Sequence, residues 1–186
     1  MKNFILGKKI GMTTIYTEEG AQNVTLVKCH SRVNLIKDEK KDGYSAVKLE
    51  ISKTRKKILK REIRISETKL KKGDKLDVSI FQLNDLVKVS GITKAKGFQG
   101  VVKRHGFAGS PKTHGHKHDL RAPGAIGSGF PEHVIKGKRM AGRMGGVRAT
   151  TKNIKVVFID KEKNILGLKG AVPGIPGNIV EVKSIK

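Results

Sequence analysis

The chain has 186 residues, enough for one domain or slightly more, and carries 40 Lys and Arg against 16 Asp and Glu, a formal net charge of +24. That imbalance points to a polyanionic partner, nucleic acid first and an anionic membrane second, yet no apolar run approaches the ~20 residues of a membrane-spanning helix and no basic amphipathic helix stands out. One cysteine, Cys29, excludes an internal disulfide and a multi-cysteine zinc site, while eight aromatics without a tryptophan argue against a stacking platform for single strands.

The opening Met1–Gly7 is too poor in apolar residues for a signal peptide, so a reducing setting is expected: the cytoplasm, or an organelle that encodes the chain. From there to residue 93 the pattern is one of short strands. Thr13–Tyr16 runs into a turn at Glu18-Glu19-Gly20, and Asn23–Lys28 alternates polar and apolar, which predicts a hairpin with one buried face. Tyr44–Ile51 alternates after Asp42-Gly43. Thr54–Lys60 is basic and reads as a short helix or a loop, after which Arg61–Ser66 alternates again. Gly73-Asp74 marks a turn, and Leu86–Gly91 closes the block as a strand.

The stretch from Lys94 to Lys155 is different. It holds 14 Lys and Arg against two acids, Asp119 and Glu132, with 12 of the 22 glycines and five of the six histidines. Ordering each residue costs about 1–2 kcal/mol, and this composition has too little apolar surface to offset it without a partner. Its charge density makes that partner a polyanion, bound through phosphate contacts and shape. After it, Ile154–Asp160, Ile165–Leu168 and Ile179–Val182 read as strands, separated by a turn at Lys161–Asn164 and a rigid loop at Pro173–Asn178. The expected fold is mainly β: a small β-barrel formed by 1–93 and 150–186, with a long basic glycine-rich looped extension, 94–149, inserted between two strands.

Within the extension, Lys94, Lys96, Lys103, Arg104, Lys112, Lys117, Arg121, Lys136, Lys138, Arg139 and Arg143 are the expected phosphate contacts, with glycines letting the backbone lie close to RNA. Gly97-Phe98-Gln99-Gly100 does not fit a dinucleotide or phosphate-loop motif. His114, His116 and His118 alternate and could ligate a metal, but Lys112, Lys117 and Arg121 would repel a cation. The favoured reading has these histidines, with His105, contacting RNA, and no metal or other cofactor is expected. The runs Arg55-Lys56-Lys57 and Lys69-Leu70-Lys71-Lys72 are either solvated faces or further RNA contacts. Catalysis finds no support, since no nucleophile has a His-and-acid partner and Cys29 and His30 point to opposite faces of a strand.

Several stretches resemble the bacterial-type large-subunit ribosomal protein L3 family. They are Leu6–Tyr16, Lys94–Arg104, His114–His118, Arg121–Gly127, Lys136–Gly142 and Leu168–Gly174, which occur in the family's order and span nearly the whole chain. The resemblance implies a translation-protein-like barrel on the solvent side of the large subunit, embedded in the 3′ part of 23S rRNA. It also implies an extension reaching towards the peptidyl-transferase centre, an early role in 50S assembly, and ribosomal proteins L14 and L19 as neighbours. Two extended strands of about 27 residues would reach at most ~90 Å. The chain departs from the family at Ala95, at Lys88 and in a shorter middle block. It departs also at the tip Gly127–Val134, which holds no glutamine, so the methylated glutamine of some relatives has no counterpart; Phe130 is the candidate to stack or pack there. The competing class is a free basic DNA- or RNA-binding accessory protein. Neither class takes a small-molecule substrate.

Overall fold

The computed structural model describes residues 3–18, 20–54, 56–65 and 70–185. In chain order the elements are β1 (Phe4–Thr17), β2 (Gly20–Cys29), β3 (Ser31–Lys37), α1 (Glu39–Asp42), β4 (Ala46–Thr54), β5 (Lys57–Arg64) and β6 (Lys75–Leu76). A 3-10 turn at Val78–Ile80 precedes β7 (Leu86–Ile92). Then come β8 (Phe98–Gln99), α2 (Val101–His105), β9 (Gly142–Arg143), β10 (Arg148–Asp160), β11 (Ile165–Lys169) and β12 (Ile179–Ser184). The protein is mainly β, as its patterning predicts. Glu19, Arg55, Ser66 and Lys69, which belong to expected turns, strands and basic runs, lie outside the described residues.

The chain divides into two compact units, Lys94–Val147 and the remainder. In the larger unit, strands β1, β12, β7, β10, β11 and β2 pair antiparallel in that order, and β2 returns to β1 to close the ring as a barrel. The alternation seen in sequence explains the interior. Val87 and Val89, Ile154 and Val156, Leu166 and Leu168, and Val180 and Val182 are all buried, while Lys88, Lys155 and Glu181 between them lie on the other face and are more exposed. Each such side chain contributes about 1.5–3 kcal/mol by leaving water.

Residues 31–76 do not join the barrel. They form a separate four-stranded sheet in the order β5-β4-β3-β6, whose Val33, Val47, Leu49 and Ile51 pack into one continuous core with the barrel's Ile5, Leu6 and Val27. The basic stretch read as helix or loop is mostly strand here, because β5 pairs with β4 from Lys57 to Arg64. Its lysines hid the pattern: Leu59, Arg61 and Ile63 are half-buried at period two while Lys57, Lys60 and Arg64 face water, as suits an edge strand.

Polar contacts tie this unit together. Glu181 on β12 accepts from Arg61 Nε at 3.0 Å and also from Arg148 Nη2. Lys37 pairs with Glu62 at 3.0 Å, and Tyr44 Oη donates to the same carboxylate at 2.6 Å. Lys9 is 93 % shielded, with only 7 % of its surface exposed, and its Nζ donates to the carbonyls of Val172 and Gly174 at 3.0 Å each. The amide of Lys9 donates to Asn178 O and its carbonyl accepts from Gly177 N.

Candidate nucleic-acid interface

The ends of the smaller unit are clasped together. Strands β8 and β9 pair Phe98 with Arg143 and Gln99 with Gly142, and beyond them Lys96 N donates to Met144 O and Met144 N to Gly97 O, both at 2.9 Å. The single turn of α2 follows. Val101 anchors it at 3 % exposure and Gly106 ends it in the left-handed conformation at φ 75°. Arg104 Nη1 donates to Met140 O at 2.6 Å, and His105 Nε2 lies 3.0 Å from the same carbonyl. Glycines at two crossings are required by the protein's own packing. Gly145 (φ +72°) and Gly109 (φ +75°) sit where a Cβ would come within 2.0 Å of Lys94 O and 2.2 Å of Leu120 O.

The histidines do not converge. His116 Nδ1 is 2.9 Å from Asp119 Oδ2, and this hydrogen bond holds the Asp119 carboxyl below its ordinary value, with a smaller contribution from Ser110 Oγ at 3.3 Å. His114, at φ 61°, and His118 are exposed. Among the described residues no group of three His, Cys, Asp or Glu side chains is placed to hold a metal ion. At the tip, Ser128 Oγ donates to Phe130 O and Glu132 N to Gly129 O at 3.2 Å, leaving the Phe130 ring 85 % exposed.

Lys94, Lys96, Lys103, Lys112, Lys117, Arg121, Lys136, Lys138, Arg139 and Arg143 are all exposed. Among the described residues, no Lys or Arg of 94–147 is ion-paired. Arg104, His105 and His116 are half-buried and serve the unit's own packing as well. Cations left exposed and unpaired in this way are suited to contact with phosphates. The one thiol is buried, which pushes Cys29 up to about 12 and leaves it protonated at neutral pH. No described helix is long and apolar enough to cross a membrane.

Two stretches singled out in the sequence turn out to be joints of the larger unit. Leu6–Tyr16 and Leu168–Gly174 meet through Lys9, whose charge reads in sequence like any other lysine of a basic chain. Lys9 stands opposite the buried Val27, in regular alternation with the buried Ile5 and Gly7, and the register slips only beyond it, between Lys9 and Gly11.

The family described as Ribosomal protein L3 matches residues 6–172. A large ribosomal subunit protein uL3c of Guillardia theta is 42 % identical, over 98 % of this chain and 100 % of its own length. Proteins named uL3 from Legionella pneumophila (strain Corby) and Ectopseudomonas mendocina (strain ymp) are 41 % and 38 % identical, each over 96 % of this chain and over 94 % and 96 % of their own lengths.

Proposed function

The chain belongs to the ribosomal protein L3 family, and on that premise we propose how it serves the ribosome: it binds 23S rRNA and holds crowded RNA helices together by counter-charge. It is a structural constituent of the large ribosomal subunit, part of the translation machinery, and not an enzyme. The observation that carries the binding mechanism is the set of exposed, unpaired cations between Lys94 and Arg143, against which the larger unit pairs Arg61, Arg148 and Lys37 with acids. In this reading the smaller unit is an rRNA-binding arm that runs towards the peptidyl-transferase centre and buttresses it. Phe130 stacks or packs at its tip, the translation-protein-like barrel anchors its root, and binding nucleates 50S assembly beside ribosomal proteins L14 and L19.

Sedimentation of tagged protein from gently lysed cells, with a high-salt wash, tests the assignment. Retention in 50S and 70S fractions is expected, since a chain enclosed by folded RNA is held by geometry as well as by counter-charge, whereas a binder held by counter-charge alone loses most of its affinity as salt rises. A peak at the top of the gradient would favour a free nucleic-acid binder. Replacing Lys138, Arg139 and Arg143 together with Ala should impair subunit assembly or peptide synthesis and leave the barrel folded; normal 50S yield and activity would overturn the arm's role.

A further inference from the structure

Residues 123–141 are exposed throughout, so the chain returning from the tip has no core of its own to rest on. Its hydrogen bonds are local: Ser128 Oγ to Phe130 O, Glu132 N to Gly129 O at 3.2 Å, and Lys138 N to Ile135 O at 3.2 Å. Among the described residues, the one long-range hold on this stretch is at the carbonyl of Met140. It accepts from Arg104 Nη1 at 2.6 Å and lies 3.0 Å from His105 Nε2. Both side chains come from α2. Three and four residues after the buried Val101, they share its face of the turn, while Lys103 points away and is exposed. The His105 ring also meets Phe107, with centroids 6.1 Å apart. Gly142 completes the arrangement. A Cβ there would come within 2.8 Å of Arg104 Nη1 and 3.3 Å of its Cζ, so the guanidinium lies against backbone that only glycine leaves open.

We propose that Arg104 is a positioning residue and not a phosphate contact: in the free protein it holds the Met140 carbonyl and so fixes the root of Lys136, Lys138 and Arg139 before any partner arrives. A guanidinium suits the task, because its charge is permanent and its donors are fixed in a plane. Closing the loop from 105 to 140 in advance removes ordering entropy that binding would otherwise cost. That these cations then meet RNA rests on the rRNA-binding reading above; the hold on Met140 does not. The sequence alone gives Arg104 and Lys103 the same standing, and only the helical turn separates them.

Hydrogen exchange of the full-length protein without RNA is the first test. The Lys96 and Met144 amides, which donate across the clasp, should be protected, and Arg104→Ala should speed their exchange about tenfold. Gly142→Ala removes no charge but displaces the guanidinium. It should give the same acceleration, and the double variant should exchange no faster than Arg104→Ala alone. Lys103→Ala should match the unaltered protein. Protected Val87 and Val89 amides show that the larger unit of each variant is folded. Unprotected Lys96 and Met144 amides in the unaltered protein, or exchange unmoved by either Arg104→Ala or Gly142→Ala, would overturn the proposal. Binding to transcribed 23S rRNA across a KCl series adds a second readout. Gly142→Ala should weaken binding about fivefold at an unchanged salt slope, since no cation is lost. If Arg104→Ala instead lowers the magnitude of the slope by about one while Gly142→Ala binds as the unaltered protein does, Arg104 is a phosphate contact and the positioning role is refuted. No preference for 23S rRNA over an unrelated transcript would sink the rRNA-binding reading and leave the exchange result standing.

Discussion

The two units are both basic, but they treat their charges differently. In the larger one, Glu181 collects Arg61 and Arg148, Glu62 collects Lys37, and Lys9 is folded under a loop whose carbonyls it satisfies. In the smaller one, eleven Lys and Arg face two acids, and Asp119 is engaged by His116, not by any of the cations. The hydrophobic core follows the same division. Among the described residues, every buried apolar residue except Val101 belongs to the larger unit. One unit is thus stabilised by burying its own surface, whereas the other has little to bury and leaves its charge for a partner. Net charge alone cannot separate these cases; the local ratio of cations to acids and apolar residues can.

The contrast is tested most severely in the core. Leu166→Ala, at a position with no exposed surface, should cost about 2–5 kcal/mol in urea denaturation, whereas the Lys138/Arg139/Arg143 triple variant should stay within about 0.5 kcal/mol of the unaltered protein. Comparable losses in both would erase the distinction. Next in size is Gly145→Ala, which forces a left-handed residue against Lys94 O and should strain the clasp by about 1–3 kcal/mol. Hydrogen exchange at the Lys96 and Met144 amides should accelerate while the Val87 and Val89 amides stay protected; parallel acceleration of both sets would mean that the units open together.

Chemical modification sharpens the same line. Cys29 has no exposed surface and its thiol is pushed up to about 12 by burial, so an alkylating reagent at mildly alkaline pH should leave it untouched until the barrel unfolds. The smallest effect expected is a pH dependence in the larger unit. Hydrogen bonds from Tyr44 and then Lys37 hold the Glu62 carboxyl below its ordinary value, so that contribution is present above the usual carboxylate range and is lost as pH falls through the lowered value. The same partners, Tyr44 and then Glu62, raise Lys37, whose contribution is present below the usual lysine range and is lost as pH rises through the raised value. Tyr44→Phe should therefore lower the urea midpoint across the neutral range, with the gap closing at both acid and alkaline extremes. A gap independent of pH would assign Tyr44 to packing alone.

Much of this was legible along the chain. The hairpin of β1 and β2, the strands β7, β10, β11 and β12, and the glycine-rich basic segment all announce themselves through period-two alternation or its absence. The first half of strand β5, Lys57–Lys60, did not, because Lys57, Lys60 and the exposed Ile58 leave Leu59 as its single half-buried residue; its second half, Arg61–Arg64, alternates legibly. In the candidate interface, sequence placed the exposed lysines and arginines together but could not show that Arg104 and His105 share the Met140 carbonyl, or that only His116 of its cluster meets an acid.

Local pattern determined which residues form strands, which face each strand buries, where cations outnumber everything that could neutralise them, and the family to which the chain belongs. Tertiary structure alone decided that residues 31–76 build a second sheet, that Lys9 is buried, and that Arg104 holds the Met140 carbonyl. Arg143 and Arg148 read alike in sequence, yet one stays unpaired on the surface and the other reaches Glu181, 33 residues away. The reason is register. Alternation says which way a side chain points, but what stands opposite it depends on pairing between strands far apart in the chain and on single-residue bulges that shift them.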